Sequence, residues 1–303
     1  MKILAFCGEG IGNNILFTPA VQAMQALFPY VRVDVITKYP QIWTGMSYVK
    51  AIPGQKLAGS FYDVSIANIF DHPNFYSGIT VGDSWPRPQL SYTEHEMVKN
   101  LEPIQGAGYD GPMPLQHVPL INMPRVLPTN RPVVAICDGS KPRCDCGTDH
   151  EYLVWKKKRW PHFVEFVERV LDEGIYVAAI GTGNDGPDLK GLEGHELLLD
   201  YRGQFSLLEV ASILRQANVF VTTDCGPMHI GDAAGIRMLA LFGPTSVAKN
   251  APLMEFSEVL NAREIYGVEE PEQGTPEFGQ RTDSPSMEAL EPSYVLEKVK
   301  GLL

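Results

Sequence analysis

The sequence predicts an α/β protein with two Rossmann-type domains, each built on a doubly wound parallel sheet. Along its 303 residues, short apolar strands alternate with helical patterns, which is typical of βαβ units. Two of these strands, at residues 2–6 and 175–180, run directly into glycine-rich turns, as strands of nucleotide-binding units do. Between them, residues 108–132 carry recurring prolines, which exclude a long helix or a central strand. We therefore expect this segment to connect two domains.

The composition limits the classes of function. A formal net charge of −11 argues against general nucleic-acid binding, because a polyanion requires a positive protein surface. No apolar run approaches the roughly 20 residues that a membrane-spanning helix needs. The opening residues MKILAFCGEG have too short an apolar run for a signal peptide, so a cytoplasmic location is expected. The 5 cysteines, an odd number without framework spacing, fit a reducing compartment.

The stretch 218–245 gives the strongest signal for a functional site. A buried strand at 219–222 runs into a turn at 224–226 and then into a short helix of small residues. The start of such a helix offers unpaired backbone N–H groups and the positive end of the helix dipole, so we predict that it binds a phosphate. Asp224 is then an N-cap or a group that positions a ligand hydroxyl, because a carboxylate repels phosphate. The alternative is an ordinary strand–helix–strand unit.

This stretch resembles the C-terminal signature of glycosyltransferase family 9, the lipopolysaccharide heptosyltransferases. The family pattern is Asp-Thr/Ser-Gly, two residues, His, an Ala-rich helix, Gly, and Leu-Phe/Tyr-Gly-Pro-Thr. The matching residues here are Asp224, Gly226, His229, Ala233, Ala234, Gly235, Leu241, Phe242, Gly243, Pro244 and Thr245. Cys225 stands where the family usually carries a hydroxyl. The resemblance implies that Asp224, Cys225, Gly226 and His229 bind a nucleotide-sugar donor, although His229 can equally be a buried structural residue.

Two further donor contacts are implied by the resemblance. Lys158 belongs to the basic cluster 156–159 and precedes a Trp-Pro pair, as in the Lys-x-Trp-Pro pattern of the family. Its charge would stabilise the departing nucleoside diphosphate, whereas the alternative is a solvated basic face. Gly181 and Thr182 lie in the glycine-rich turn that borders the nucleotide in the family.

The N-terminal motif departs from the family at its catalytic position. The family opens with Gly-Asp, apolar residues and Thr-Pro, whereas this chain has Asn13 after Gly12. Asn13 therefore stands where the family has an aspartate that is regarded as the base for the acceptor hydroxyl. An amide cannot accept that proton, although it can orient the hydroxyl. Glu9 is the nearest carboxylate on the same loop, and the alternative for it is a solvated loop residue.

The resemblance implies a GT-B fold in which two domains face a cleft. We expect these domains at residues 1–127 and 128–285, and a C-terminal helix within 286–303 that crosses back to the N-terminal domain. The implied reaction is inverting transfer of a sugar, heptose from an ADP-linked donor, to a hydroxyl of a lipopolysaccharide core or another glycan. The donor is a substrate, so no cofactor is expected. The expected partners are this donor and a glycan or glycolipid acceptor, with at most peripheral membrane contact.

Other functions stay open at this point. Asn13 and Cys225 together favour a non-catalytic protein that holds a nucleotide sugar or glycan without turnover. A nucleotide-sugar epimerase on the same architecture needs no acceptor. The chain lacks an Asp-x-Asp pair, which disfavours a metal-bridged diphosphate. Cys137, Cys144 and Cys146 are candidates for a metal site, but their spacing lacks the paired pattern of a zinc site, so free thiols are the alternative.

Overall fold

The computed structural model describes residues 1–8, 10–52, 60–70, 79–140, 147–183 and 189–303. The chain divides into two compact units, Met1–Pro119 and Leu120–Leu303. The division falls within the proline-rich segment 108–132, whereas the domain boundary expected from the sequence, between residues 127 and 128, stays a prediction.

The first unit contains a 5-stranded parallel sheet with the strand order β3-β2-β1-β4-β5. The central strand β1 is apolar and buried, as expected for a strand covered on both faces. The strand order reverses between β1 and β4, and α1 starts at this point. The elements are β1 Lys2–Phe6, α1 Ile11–Leu27, β2 Arg32–Ile36, a 3₁₀ turn Pro40–Trp43, β3 Val49–Ile52, β4 Phe61–Ala67, β5 Thr80–Ser84 and α2 Glu96–Gly106.

The second unit contains a 6-stranded parallel sheet with the order β11-β10-β9-β6-β7-β8. Its elements are β6 Val133–Cys137, α3 Asp149–Lys156, α4 Phe163–Asp172, β7 Tyr176–Ala179, β8 Leu198–Asp200, α5 Leu207–Leu214, β9 Val219–Thr223, α6 Gly226–Ala234, β10 Met238–Phe242, α7 Val247–Asn250, β11 Ser257–Asn261, α8 Ala262–Tyr266, a 3₁₀ turn Pro276–Gln280, α9 Pro285–Ala289 and α10 Pro292–Leu302. The two parallel sheets confirm the predicted fold class.

The core of the second unit fixes the Trp-Pro pair of the basic motif. Trp160 is fully buried, its ring centroid lies 5.4 Å from that of Phe163, and its Nε1 donates a hydrogen bond of 2.9 Å to the carbonyl of Leu290. The apolar face of α4 packs against α10, which contributes Val295 and Val299 to the same core. The predicted crossing of the last helix to the first domain stays a prediction.

Among the residues that the structure describes, every helix is too short or too polar to cross a lipid bilayer.

Candidate functional site

The carboxyl edge of the second sheet carries most of the residues that the sequence predicts to bind a donor. Because the paired strands are parallel, the segments that follow β6, β7, β9 and β10 all emerge at this edge. The turn 224–226 follows β9, and Gly181 and Thr182 follow β7. The strand order reverses between β6 and β9, and loops diverge at such a point and leave room for a ligand.

Cys225, rather than Asp224, is the N-cap of α6, which corrects one of the two roles predicted for the aspartate. Its backbone is extended, with φ −152° and ψ 171°, and Gly226 is the first helical residue. Pro227 follows in the first turn, where its fixed φ suits a helix start. The dipole of α6 and the backbone amides at its start therefore favour an anionic ligand near Gly226.

A glycine holds α6 close to the sheet. A Cβ atom on Gly231 would lie 2.8 Å from Cε of Met238 and 2.9 Å from Cδ1 of Phe220. Such distances are shorter than real carbon–carbon contacts, so a side chain here would require Met238, Phe220 or the helix to shift. This close packing fixes the position of the turn 224–226.

Lys158 and Asp224 meet at the start of α6. Nζ of Lys158 lies 4.0 Å from Oδ2 of Asp224, and their side chains are 13% and 7% exposed. This distance exceeds the roughly 2.8 Å of a charge-assisted hydrogen bond, so the ammonium keeps hydrogen-bonding capacity for a ligand. The structure thus brings together two residues that the sequence motifs placed far apart in the chain.

The Asp224 carboxylate is held in its ionised form. Burial raises the pKa of Asp224, but the positive charges of Lys158, His229 and Lys249 outweigh burial and hold the pKa below its ordinary value. Nδ2 of Asn250 donates a hydrogen bond of 3.2 Å to Oδ2 of this carboxylate. An ionised, buried carboxylate of this kind can accept hydrogen bonds from the hydroxyl groups of a ligand.

The basic cluster 156–159 does not act as a single patch. Nζ of Lys157 donates hydrogen bonds to the carbonyls of Phe278 and Arg281 and lies 3.6 Å from the Phe278 ring centroid, so this lysine anchors the second 3₁₀ turn. Nε of Arg159 donates a hydrogen bond of 2.9 Å to Oγ of Ser140, in the segment after β6. Lys158 is thus the member of the cluster that pairs with Asp224.

The thiol of Cys225 lies against the end of β6. Oγ1 of Thr222 lies 3.3 Å from its Sγ, and a Cβ atom on Gly139 would lie 3.2 Å from the same sulfur. Burial raises the pKa of the Cys225 thiol, but hydrogen bonds with Cys137 and Thr222 and the charge of Lys158 bring it down to about 7. The turn therefore carries a thiol whose pKa is lowered from its ordinary value.

Only one of the three cysteines of the candidate metal site lies among the described residues. Cys144 and Cys146 lie outside the described residues, and Cys137 is buried and carries a thiol rather than a disulfide. Within the described ranges, no group of three or more His, Cys, Asp or Glu side chains could hold a metal ion.

Two polar residues of α6 have different surroundings. His229 is buried and its charge acts on Asp224, one turn earlier in the chain. Asp232 accepts hydrogen bonds from the backbone amides of Leu253 and Met254, at 2.8 and 3.0 Å, and so anchors the segment before β11. Asp232 is therefore a structural residue, whereas His229 belongs to the charged group around Asp224.

The sequence motifs missed Lys249 and Asn250. Both are buried in α7, directly after the Gly-Pro-Thr end of the signature, and Oγ of Ser246 caps this helix by accepting from the Lys249 amide. The available signal was the adjacent polar pair Lys249-Asn250, which lies a few residues after the end of the signature. Their proximity to Asp224 depends on how the turn after β10 folds, which spacing alone does not reveal.

A cavity of about 770 Å³ opens within the second unit, and residues on both sides of Lys158 in the chain line it. Its lining includes Asp138 after β6, Gly183 after β7, Arg159 and Arg202. The cavity is thus bordered by the carboxyl edge of the sheet and by side chains of both charges, since Asp283 and Glu288 also line it. Among the described residues, Lys158 and Asp224 do not belong to its lining.

In the first unit, the two asparagines at the start of α1 differ in their surroundings. Asn14 is fully buried, and its Oδ1 accepts hydrogen bonds from Thr37 Oγ1 at 2.6 Å and from Trp43 Nε1 at 3.1 Å. Asn13 is half-buried in the first turn, after Gly10 with its positive φ of 71°. Asn14 is therefore structural, and Asn13 remains the candidate for contact with a ligand. Glu9 lies outside the described residues.

The sequence comparisons agree with these motifs. The model of the glycosyltransferase family 9 (heptosyltransferase) matches residues 88–276, more than half of the 303 residues. The chain is 28% identical over 181 residues to lipooligosaccharide heptosyltransferase 2 of Haemophilus influenzae, which covers 57% of this chain and 48% of that protein. The match therefore spans about half the length of this curated relative.

Solved structures share the fold over nearly the whole chain. The Escherichia coli ADP-heptose lipopolysaccharide heptosyltransferase II superposes with a TM-score of 0.71 at 19% identity, covering 100% of this chain and 98% of that chain. The Escherichia coli heptosyltransferase WaaC with ADP superposes with a TM-score of 0.68 at 15% identity, covering 100% of both chains. At these identities the likeness concerns the fold.

Proposed function

Since the chain belongs to glycosyltransferase family 9, the heptosyltransferases, we propose that it transfers heptose from an ADP-linked donor to a hydroxyl of a lipopolysaccharide core or another glycan. The observation that carries the proposal is the pair of Lys158 and ionised Asp224 beside the start of α6. Two solved structures of one relative support the choice of donor, since the Escherichia coli heptosyltransferase WaaC was solved with ADP and with ADP-2-deoxy-2-fluoro heptose.

We assign the donor to the second unit. The start of α6 at Gly226 and the ammonium of Lys158 bind the diphosphate, and Lys158 neutralises the charge that builds up on the leaving ADP. Asp224 and His229 bind hydroxyl groups of the sugar. Gly181 and Thr182 border the nucleotide, and the adjoining cavity of about 770 Å³ offers space for it.

The reaction requires a group that accepts one proton. The acceptor oxygen forms a bond to the anomeric carbon while the bond from that carbon to the diphosphate oxygen breaks, so the configuration inverts and ADP leaves as an anion. The hydroxyl proton must pass to a base, and the Asn13 amide cannot take it. We propose that Asn13 orients the acceptor hydroxyl and that Glu9 is the candidate base.

Calorimetric titration tests the donor assignment. ADP, UDP, GDP, CDP and ADP-heptose are titrated into the wild type, into Lys158→Ala and into the matched control Lys298→Ala, whose ammonium pairs with Glu258 at 2.7 Å elsewhere in the second unit. We expect ADP and ADP-heptose to bind, Lys158→Ala to weaken both by about tenfold or more, and the control to bind as the wild type does. Absence of nucleotide binding by the wild type would overturn the proposal.

A second function is favoured by one observation, the amide at Asn13. A protein that holds ADP-heptose without transferring it needs no base in this turn. The two functions differ in ADP release, because the enzyme releases ADP when donor and acceptor are both present, whereas the binding protein retains the intact donor. A coupled assay for ADP with a heptose-deficient lipopolysaccharide core as the acceptor separates them.

A further inference from the structure

Helix α7 carries two buried polar side chains that the family signature does not include. The residues Lys249 and Asn250 are 3% and 7% exposed and follow Thr245, the last residue of that signature. Burial of an ammonium group is strongly unfavourable unless hydrogen bonds and opposite charges compensate it. A buried lysine at position 249 therefore destabilises the fold unless such contacts compensate its charge.

The two side chains form a directed chain of hydrogen bonds that ends on Asp224. Nζ of Lys249 donates to Oδ1 of Asn250 at 2.9 Å, and Nδ2 of Asn250 donates to Oδ2 of Asp224 at 3.2 Å. An ammonium group can only donate, so the amide oxygen must face the lysine and the NH₂ group must face the carboxylate. Lys249 thus fixes which end of the Asn250 amide reaches Asp224.

We propose that Asn250 is a positioning residue for Asp224, and that Lys249 orients Asn250, so that the carboxylate is a fixed acceptor for hydroxyl groups of the donor sugar. The proposal rests on the proposed function, because it takes the ligand of Asp224 to be a nucleotide sugar. It adds α7 to the donor site and separates two parts of that site. Lys158 and the start of α6 bind the diphosphate, whereas α7 acts on recognition of the sugar through Asp224.

Charges from several elements act on Asp224, and they set the expected pH dependence. Lys158 lies before α4, His229 on α6 and Lys249 on α7, and the neighbouring Cys225 thiol titrates with a pKa of about 7. Loss of Lys249 removes one positive charge and therefore raises the pKa of Asp224. The carboxylate then becomes protonated at a higher pH. On acidification, binding of the sugar should therefore weaken at a higher pH than in the wild type.

The test compares ADP with ADP-heptose in wild type, Lys249→Met and Asn250→Asp. Titrations run from the lowest pH at which the wild type stays folded up to about pH 8, because the pKa of Asp224 lies below its ordinary value of about 4. Asn250→Asp keeps the shape, removes the N–H donor and adds a like charge beside Asp224, so it too raises the pKa of that carboxylate. Lys298→Met is the matched control, and Lys249→Arg tests rescue by another cation.

We expect both variants to weaken ADP-heptose binding by roughly tenfold at neutral pH and to change ADP binding by less than about twofold. The acid limb of ADP-heptose binding should move up by about one pH unit in both, and Lys249→Arg should restore most of it. Lys298→Met should match the wild type in both affinities.

Equal losses of ADP and ADP-heptose affinity with an unmoved acid limb would overturn the proposal, because they indicate a merely structural role. If Asn250→Asp does not fold, as judged by its thermal unfolding, Lys249→Met decides the matter with the same readouts. A wild type that binds neither ligand overturns the proposed function as well, whereas a wild type that binds both, with variants that behave identically to it, overturns this inference alone.

Discussion

Nζ of Lys158 and Oδ2 of Asp224 lie 4.0 Å apart in a largely buried setting, although one residue precedes α4 and the other follows β9. Each charge stabilises the other, and the pair lies where a helix start already favours an anion. A ligand that carries both a diphosphate and hydroxyl groups matches this combination of an ammonium group, backbone amides and a carboxylate.

Replacement of Asp224 should make the protein less stable, and by more at neutral than at acidic pH. Because the pKa of Asp224 in the folded protein lies below its ordinary value, this carboxylate contributes stability above its unfolded pKa, and the contribution is lost as the pH falls through the folded pKa. Asp224→Asn leaves Lys158 and Lys249 without this partner, so we expect a loss of about 3 kcal/mol in the free energy of unfolding at pH near 7.

Urea unfolding of both proteins at neutral and acidic pH measures this difference. Glu165→Gln is the control, since it removes only an exposed ion pair with Arg169, at 2.8 Å, and should cost less than about 1 kcal/mol. A loss for Asp224→Asn that is equal at both pH values would contradict the assigned ionisation.

A side chain at position 231 should disrupt the packing of α6 against the sheet. The Cβ of Gly231→Ala would lie 2.8 Å from Met238 and 2.9 Å from Phe220, so we expect a loss of about 1–3 kcal/mol in the free energy of unfolding. Gly301→Ala in α10 is the matched control, since its Cβ would meet no described atom within 4 Å, and it should stabilise the helix by up to about 1 kcal/mol. Thermal unfolding compares the two; equal effects would show that α6 can shift without cost.

Trp160 should stabilise the second unit and also hold Lys158 in its position. Trp160→Ala removes a fully buried ring, with an expected cost of about 3–5 kcal/mol in the free energy of unfolding. Trp160→Phe keeps most of the apolar contact but leaves the Leu290 carbonyl without its 2.9 Å hydrogen bond, so its cost should be smaller, about 1–3 kcal/mol.

Denaturant unfolding, followed by ADP titration of the folded Trp160→Phe variant, checks both effects. ADP binding weaker than in the wild type would indicate that the ring positions the adjoining lysine. A Trp160→Ala variant as stable as Trp160→Phe would contradict the packing role of the ring.

Much of the fold could be predicted because it follows from local signals. The apolar runs of β1, β6 and β9 are buried central strands, and the Ser206–Glu209 capping box at the start of α5 is present as its spacing predicts. By contrast, residues 80–84 combine Thr80 and Val81 with a glycine and two polar residues, so they give only a weak strand signal. They form the edge strand β5 because β4 offers its backbone for pairing.

The sequence could propose residue types for the candidate site but not its geometry. The motifs brought Lys158, Asp224 and Cys225 into consideration, whereas the N-cap role of Cys225 depends on backbone angles that spacing does not fix. The sequence motifs do not include Lys249 and Asn250, because the role of these residues depends on a contact with Asp224 across the turn after β10. Ionisation of a carboxylate depends on such neighbours, which only the folded chain assembles.

The amide at position 13 gives the sharpest test of catalysis. Asn13 occupies the first turn of α1. An aspartate at this position keeps the shape of the side chain and supplies a carboxylate that can take the proton from the hydroxyl of the sugar acceptor. If Glu9 is a weak substitute base, Asn13→Asp should raise the turnover number for ADP release by about a hundredfold, the lower range for general base catalysis, with little change in donor affinity.

Asn14→Asp is the matched control, because it alters the buried neighbour that accepts hydrogen bonds from Thr37 and Trp43, and it should lower stability without raising turnover. An initial-rate assay of ADP release with both substrates gives the result: an unchanged rate in Asn13→Asp, together with a large loss in Glu9→Gln, would assign the base to Glu9 alone.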